Sequence, residues 1–141
     1  MITLNTRING LDIKIVKKIC RIVINWYFDH FGQKNWKGKP LRIELDFDIN
    51  TVDYAEYDIE EDERVIKLFM KQNKTIKDII SSLNHEIIHD KQSDTEYQEL
   101  AKKYSYSKHP HEIEARKFSE KYTSVCWGDI KDRVNKLINR K

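Results

Sequence analysis

The chain has 141 residues, 39% hydrophobic and 35% charged, with a net charge of +3. That length supports one hydrophobic core, read as a single domain over 1–141, and the composition excludes a disordered or fibrous chain. No stretch approaches the ~20 uninterrupted apolar residues of a membrane span, and Met1 to Gly10 contain no apolar leader core, so no membrane partner and a cytoplasmic location are expected.

Two cysteines, Cys20 and Cys126, cannot build a disulfide framework of the secreted kind and are expected to be reduced and buried. Charge is distributed unevenly. Residues 41–63 hold ten acidic side chains against Arg42 alone, whereas 101–141 hold eleven basic and five acidic ones. Such runs ordinarily serve as solvated faces. No recognition motif accompanies the basic half, so nucleic acid is not expected as a partner.

From Gly10 to about Phe31, Ile15, Ile19, Ile22, Val23 and Trp26 recur at helical spacing among lysines and Arg21, predicting a long helix that backs the core. Gly32 to Pro40 reads as a loop. Leu41 to Ile49 alternates strictly, with Leu41, Ile43, Leu45, Phe47 and Ile49 on one face and Arg42, Glu44, Asp46 and Asp48 on the other, the signature of a half-buried strand. Tyr54 to Ile59 and Arg64 to Met70 are rich in β-formers and flank the acidic turn Glu60 to Glu63, so they are expected to pair as a hairpin. The series Asp46, Asp48, Asn50, Asp53 lacks the glycine and terminal glutamate of a calcium loop and reads as strand and turn. Helical patterning then covers Asn73 to Gln92, Glu96 to Tyr104, Pro110 to Cys126 and Asp129 to Ile138. The last of these is amphipathic, with Lys131, Arg133, Lys136, Arg140 and Lys141 on its wet side.

The segment Ser81 to Asp90 carries the chemistry, because it contains the pattern HExxH inside a predicted helix. At about 100° per residue, side chains four apart project within roughly 40° of one another, so His85 and His89 can converge on one tetrahedral ion. Glu86 then sits beside a metal-bound water, placed to take its proton and pass it to a leaving amine. Ile76, Ile79, Ile80, Leu83 and Ile87 form an apolar stripe that anchors the helix on its other side. The plain alternative is a solvated helix with two surface histidines.

Zinc requires a third protein ligand, and His109-Pro110-His111-Glu112-Ile113-Glu114-Ala115 opens a downstream helix with Pro110 near its first position. The longer pattern HExxHxxGxxH fails, because positions 92 and 95 are Gln92 and Thr95. Glu112 and Glu114 lie about 200° apart on a helix, so both cannot face one ion, and periodicity does not choose between them. Glu112 also suits a first helical turn without any metal.

With HExxH followed by Glu112-Ile113-Glu114-Ala115, the stretch from Thr75 to Tyr122 resembles the gluzincin metallopeptidases. It is similar to their ImmA/IrrE-like and minimal forms, in which a second helix supplies a glutamate ligand in a small-residue setting. The resemblance implies an α+β, zincin-like fold: a small, mostly antiparallel sheet with a backing helix, an HExxH helix and a glutamate-ligand helix. It implies zinc-dependent hydrolysis of a peptide or protein substrate, with His85, His89 and Glu112 as metal ligands, Glu86 as catalytic base and Glu114 as the alternative ligand. Ala115, three residues after Glu112, would let the two helices approach. A Tyr or His usually donates to the oxyanion in this class, and Tyr104, Tyr106, His109, His111 and Tyr122 are all candidates. Many gluzincins place an acid or amide four residues after the glutamate to support a zinc histidine, whereas this chain has Arg116, leaving that role unassigned. By analogy, an edge strand between Leu41 and Met70 would pair with extended substrate. The reading from another class is a non-catalytic zinc-containing regulatory or partner-binding protein of a mobile element, against which the intact Glu86 stands.

Overall fold

The structure, a computed structural model, describes residues 1–32, 39–92 and 94–139. Helix α1 spans Ile13–Phe31, with Asp12 as its N-cap accepting from the Lys14 amide, and it ends at Gly32, whose φ of 75° suits a residue without a Cβ. Of the loop expected over Gly32 to Pro40, residues 33–38 lie outside the described residues. Strands β1 (Leu41–Asp46), β2 (Ala55–Ile59) and β3 (Arg64–Phe69) follow, then α2 (Ile76–Lys91), α3 (Asp94–Ala101) and α4 (Pro110–Asn139). The α+β class is therefore observed. No helix among the described residues is long and apolar enough to cross a membrane.

The sheet corrects one expectation: it is mixed rather than mostly antiparallel. β2 and β3 form the expected hairpin, with Ala55 opposite Leu68 and Ile59 opposite Arg64, but β1 pairs with β3 in parallel, Leu41 opposite Arg64 and Asp46 opposite Phe69. The spatial order is β1-β3-β2. Composition gives the reason. β3 buries Val65, Ile66, Leu68 and Phe69 and so takes the centre, while the alternating strands β1 and β2 take the edges, where one face can stay wet. β1 also ends at Asp46 rather than Ile49, and Phe47 and Ile49 are exposed in the connection to β2.

Helix α2 is the hub, touching α1 and α4 as well as β2 and β3. Thr75 and Asp78 start it with a reciprocal capping box. The N-terminal segment holds this start in place through Ile8 N–H to the Lys74 carbonyl and Ile76 N–H to the Thr6 carbonyl. The predicted apolar stripe is fully buried at Ile76, Ile79, Ile80, Leu83 and Ile87, within one cluster that runs from Ile2 to Val134.

The two helices read over Pro110 to Cys126 and Asp129 to Ile138 are one 30-residue helix, α4. Gly128 costs helix propensity but does not break the run, because Cys126, Ile130 and Val134 on either side are all buried and hold it. Arg140 and Lys141 of the expected basic face lie outside the described residues. Cys20 and Cys126 are free and buried, and burial pushes both thiols up to about 12, so neither is a reactive thiolate. Along α4, Glu112, Ala115, Ser119, Thr123, Cys126, Ile130 and Val134 form a single buried face. Small residues let this face approach α2: Ala115 is fully buried, and the Ser119 hydroxyl donates to the Ser81 carbonyl at 2.9 Å.

Candidate metal centre

Helix α2 presents His85, Glu86 and His89 with one ligand atom from each lying within 4.8 Å of the others. The first turn of α4 brings a fourth group. Glu112 Oε1 lies 3.1 Å from His85 Nε2 and 3.3 Å from His89 Nε2. Four ligands about 2.0–2.1 Å from a tetrahedral zinc stand about 3.3 Å from one another. The two separations from Glu112 to the histidines thus match edges of such a tetrahedron.

Hydrogen bonds fix which nitrogen faces the centre. The Gln92 amide nitrogen donates to the His111 carbonyl at 3.0 Å and to Glu114 Oε1 at 2.7 Å, so Gln92 Oε1 is the atom turned toward His89 Nδ1, 2.6 Å away. His89 therefore carries a proton on Nδ1 and directs Nε2 at Glu112. In its neutral form that nitrogen is a lone pair facing a carboxylate, an arrangement that only a proton or a cation relieves. The same contacts place Glu114: its Oε1 accepts from Gln92, whereas Glu112 Oε1 meets both histidines.

The second oxygen of Glu112 accepts from the Tyr97 hydroxyl at 2.5 Å. Tyr97, on α3, is itself held by His109. The rings stack at 4.0 Å, and His109 Nε2 donates to the Tyr97 carbonyl at 2.9 Å while its Nδ1 accepts from the His111 amide. Both nitrogens of His109 are engaged, and His111 Nε2 is paired with Glu96 at 3.0 Å. Neither histidine faces the centre.

Electrostatics separate the two carboxylates. Burial raises Glu86 and the two histidines pull it part of the way back, leaving it at about 7, a value suited to a base working near neutrality. Burial opposes ionisation of Glu112 as well, but hydrogen bonds from His85, His89 and Tyr97 together outweigh it and hold that carboxyl far below the usual range. His89 moves the opposite way. Burial disfavours its charge, yet Glu112 and Glu86 raise its pKa above the ordinary imidazole value.

The centre opens onto two adjoining cavities of about 400 and 410 Å³, both lined by Glu86, Asp53, Ala55 and Tyr106. His89 and Glu112 line the first and His85 the second. Of the five donor candidates Tyr104, Tyr106, His109, His111 and Tyr122, only Tyr106 lines these cavities. Burial, and then the Glu112 charge, push its hydroxyl up to about 12, so it stays protonated. Tyr104 is exposed, and Tyr122 belongs to an aromatic cluster with Trp26, Phe31 and Phe118. Arg116 donates to the Ser107 carbonyl at 2.6 Å, bracing the 3-10 turn Tyr106–Lys108 that carries Tyr106.

Tyr97 and Gln92 were not among the sequence-derived site residues. Gln92 stood three residues after His89, at helix-neighbour spacing, which is the signal that could have found it. Tyr97 has no local signal, because its approach to Glu112 depends on how α3 docks. Compared with models of known protein families, with curated proteins and with solved structures, the chain matches none.

Proposed function

We propose that the protein is a zinc-dependent peptidase of gluzincin type with a zincin-like fold, in which His85, His89 and Glu112 bind the metal and Glu86 is the general base. The observation that carries this reading is the position of Glu112 Oε1, 3.1 and 3.3 Å from the Nε2 atoms of both motif histidines, with Glu86 buried beside them. Zinc held by His85, His89 and Glu112 would supply a Lewis acid for the scissile carbonyl and acidify a water beside Glu86. Glu86 accepts the water proton and returns it to the departing amine, a task matched by its raised pKa. Gln92 keeps His89 in the metal-binding tautomer, and Tyr97 fixes Glu112 in orientation. Tyr106, protonated and facing the cavity beside Glu86, is the donor for the developing oxyanion. The edge position of β2 supports binding of extended substrate, since among the described residues β2 pairs with β3 on one side only and Ala55 to Ile59 line the first cavity.

Hydrolysis of a quenched fluorescent protein substrate by zinc-loaded wild type and Glu86→Gln tests the reading. Loss of the base should lower kcat by about 10²–10⁴-fold while zinc is retained. Equal activity in the two proteins overturns it. Zinc retention with no hydrolysis by the wild type would favour the non-catalytic zinc module.

A further inference from the structure

The two cavities differ in what surrounds their shared centre. Glu56 and Asp58 of β2 line the first, whereas Val52 and Tyr54, 88% and 50% exposed, line the second with Asp78, whose Oδ2 accepts from the Lys74 and Thr75 amides at the start of α2. Asp53 borders both. No lysine or arginine lines either cavity among the described residues. Two metal charges would offset Glu86 and Glu112, and Asp78 is engaged in capping α2, so the excess negative charge left to meet a substrate rests on Asp53, Glu56 and Asp58.

Little nearby neutralises these three. The Lys67 ammonium lies 3.8 Å from Glu56 but also 3.4 Å from Glu44, so one cation serves two acids. Asp53 Oδ2 accepts from the Thr51 hydroxyl, whose oxygen accepts from the Asp53 amide, and neither Asp53 nor Asp58 has an ion-pair partner among the described residues. Glu56 and Asp58 stand on β2 and Asp53 just before it, and among the described residues the outer edge of β2 has no strand partner, so a peptide added there as a further strand would set alternate side chains beside them.

We propose that this cleft selects extended peptides carrying a lysine or arginine on the Glu56–Asp58 side of the cleaved bond, a selectivity that rests on the peptidase reading. Charge complementarity with an open strand edge favours a basic peptide over an acidic one and disfavours a polyanion such as nucleic acid. On the Val52–Tyr54 side the acid besides the shared Asp53 is Asp78, already taken up by the amides that cap α2, so the preference is stronger on the Glu56–Asp58 side of the bond.

The test uses Glu86→Gln protein equilibrated with zinc and fluorescein-labelled ten-residue peptides that differ only in Lys, Gln or Glu walked through each position. Binding is followed by fluorescence anisotropy. Lys should bind about tenfold more tightly than Glu on one side of the bond at low ionic strength, with the ratio shrinking in high salt. Adding Glu56→Gln and Asp58→Asn should bring that ratio close to one. Equal binding of the three peptides, tighter binding of Glu, a ratio that survives the double substitution, or no binding of any peptide overturns the proposal. Cleavage by the wild type is scored separately. Cleavage without a charge preference defeats the selectivity alone, whereas a charge preference without zinc or cleavage defeats the peptidase reading and leaves a basic-peptide docking cleft.

Discussion

Two buried polar clusters meet on the last turn of α2, one residue apart, and they are built on opposite principles. Asp90 accepts from Arg64 Nη1 through both oxygens at 2.8 Å and from the Tyr57 hydroxyl at 2.5 Å, while Arg64 Nε donates to the Lys39 carbonyl. Its charges cancel. His89 belongs instead to a cluster of two imidazoles and two carboxylates in which nitrogen lone pairs and carboxylate oxygens face one another. The first cluster ties β2 and β3 to the end of α2 and is complete as it stands. The second is complete only with a cation or with protons on its histidines, which is how a buried binding site differs from a buried ion pair.

Breaking the neutral cluster should have the largest effect on stability. Arg64→Met takes the guanidinium away from the charged, buried Asp90 and should cost about 3–5 kcal/mol in urea unfolding. Arg64→Met combined with Asp90→Leu should recover most of that loss, because no uncompensated charge then remains. Recovery in the double variant is the signature of desolvation. Its absence would mean that the pair matters for packing instead.

The excess charge of the second cluster should show in metal-free protein as a pH-dependent liability. The carboxyl of Glu86 rises from 4.5 to about 7 on folding. Stability linked to the neutral form is therefore fully present below pH 4.5 and lost as pH rises through 7. Glu86→Gln removes this loss, so the variant should match the wild type at pH 4 and exceed it by about 3 kcal/mol at pH 8. Chemical denaturation at the two pH values, with a chelator present, measures the difference.

Gln92→Ala should sharpen the contrast with a smaller effect. It frees His89 Nδ1 and removes the tie to Glu114 without touching a ligand atom. Zinc affinity, measured by competition with a chromophoric chelator, should fall about 10–100-fold. An unchanged affinity would show that the tautomer of His89 is set by other groups.

Much of this was legible in the sequence where the signal was local. His85, Glu86 and His89 lie on one turn, and the apolar stripe of α2 and the β2–β3 hairpin follow from spacing alone. The position of β1 was not legible, because which strand takes the centre depends on the burial of all three. The helical pattern divides between Cys126 and Asp129, and it takes the burial of Cys126, Ile130 and Val134 on either side to make α4 continuous there. The choice between Glu112 and Glu114 was less hidden than it looked. Ala115, Ser119, Thr123, Cys126, Ile130 and Val134 share one helical face, and at about 100° per residue that face, extended back to the start of α4, meets Glu112 and misses Glu114 by nearly half a turn. Arg64 and Asp90, 26 residues apart, announce nothing in the sequence, since an ion pair between separate elements has no period.

The most direct test of the metal centre is zinc content after dialysis, by elemental analysis, in the wild type, Glu112→Ala and Glu114→Ala. About one zinc per chain is expected in the wild type and in Glu114→Ala, with loss of the metal in Glu112→Ala. Zinc retained by Glu112→Ala, or none bound by the wild type, would contradict the assignment of His85, His89 and Glu112 as a metal site.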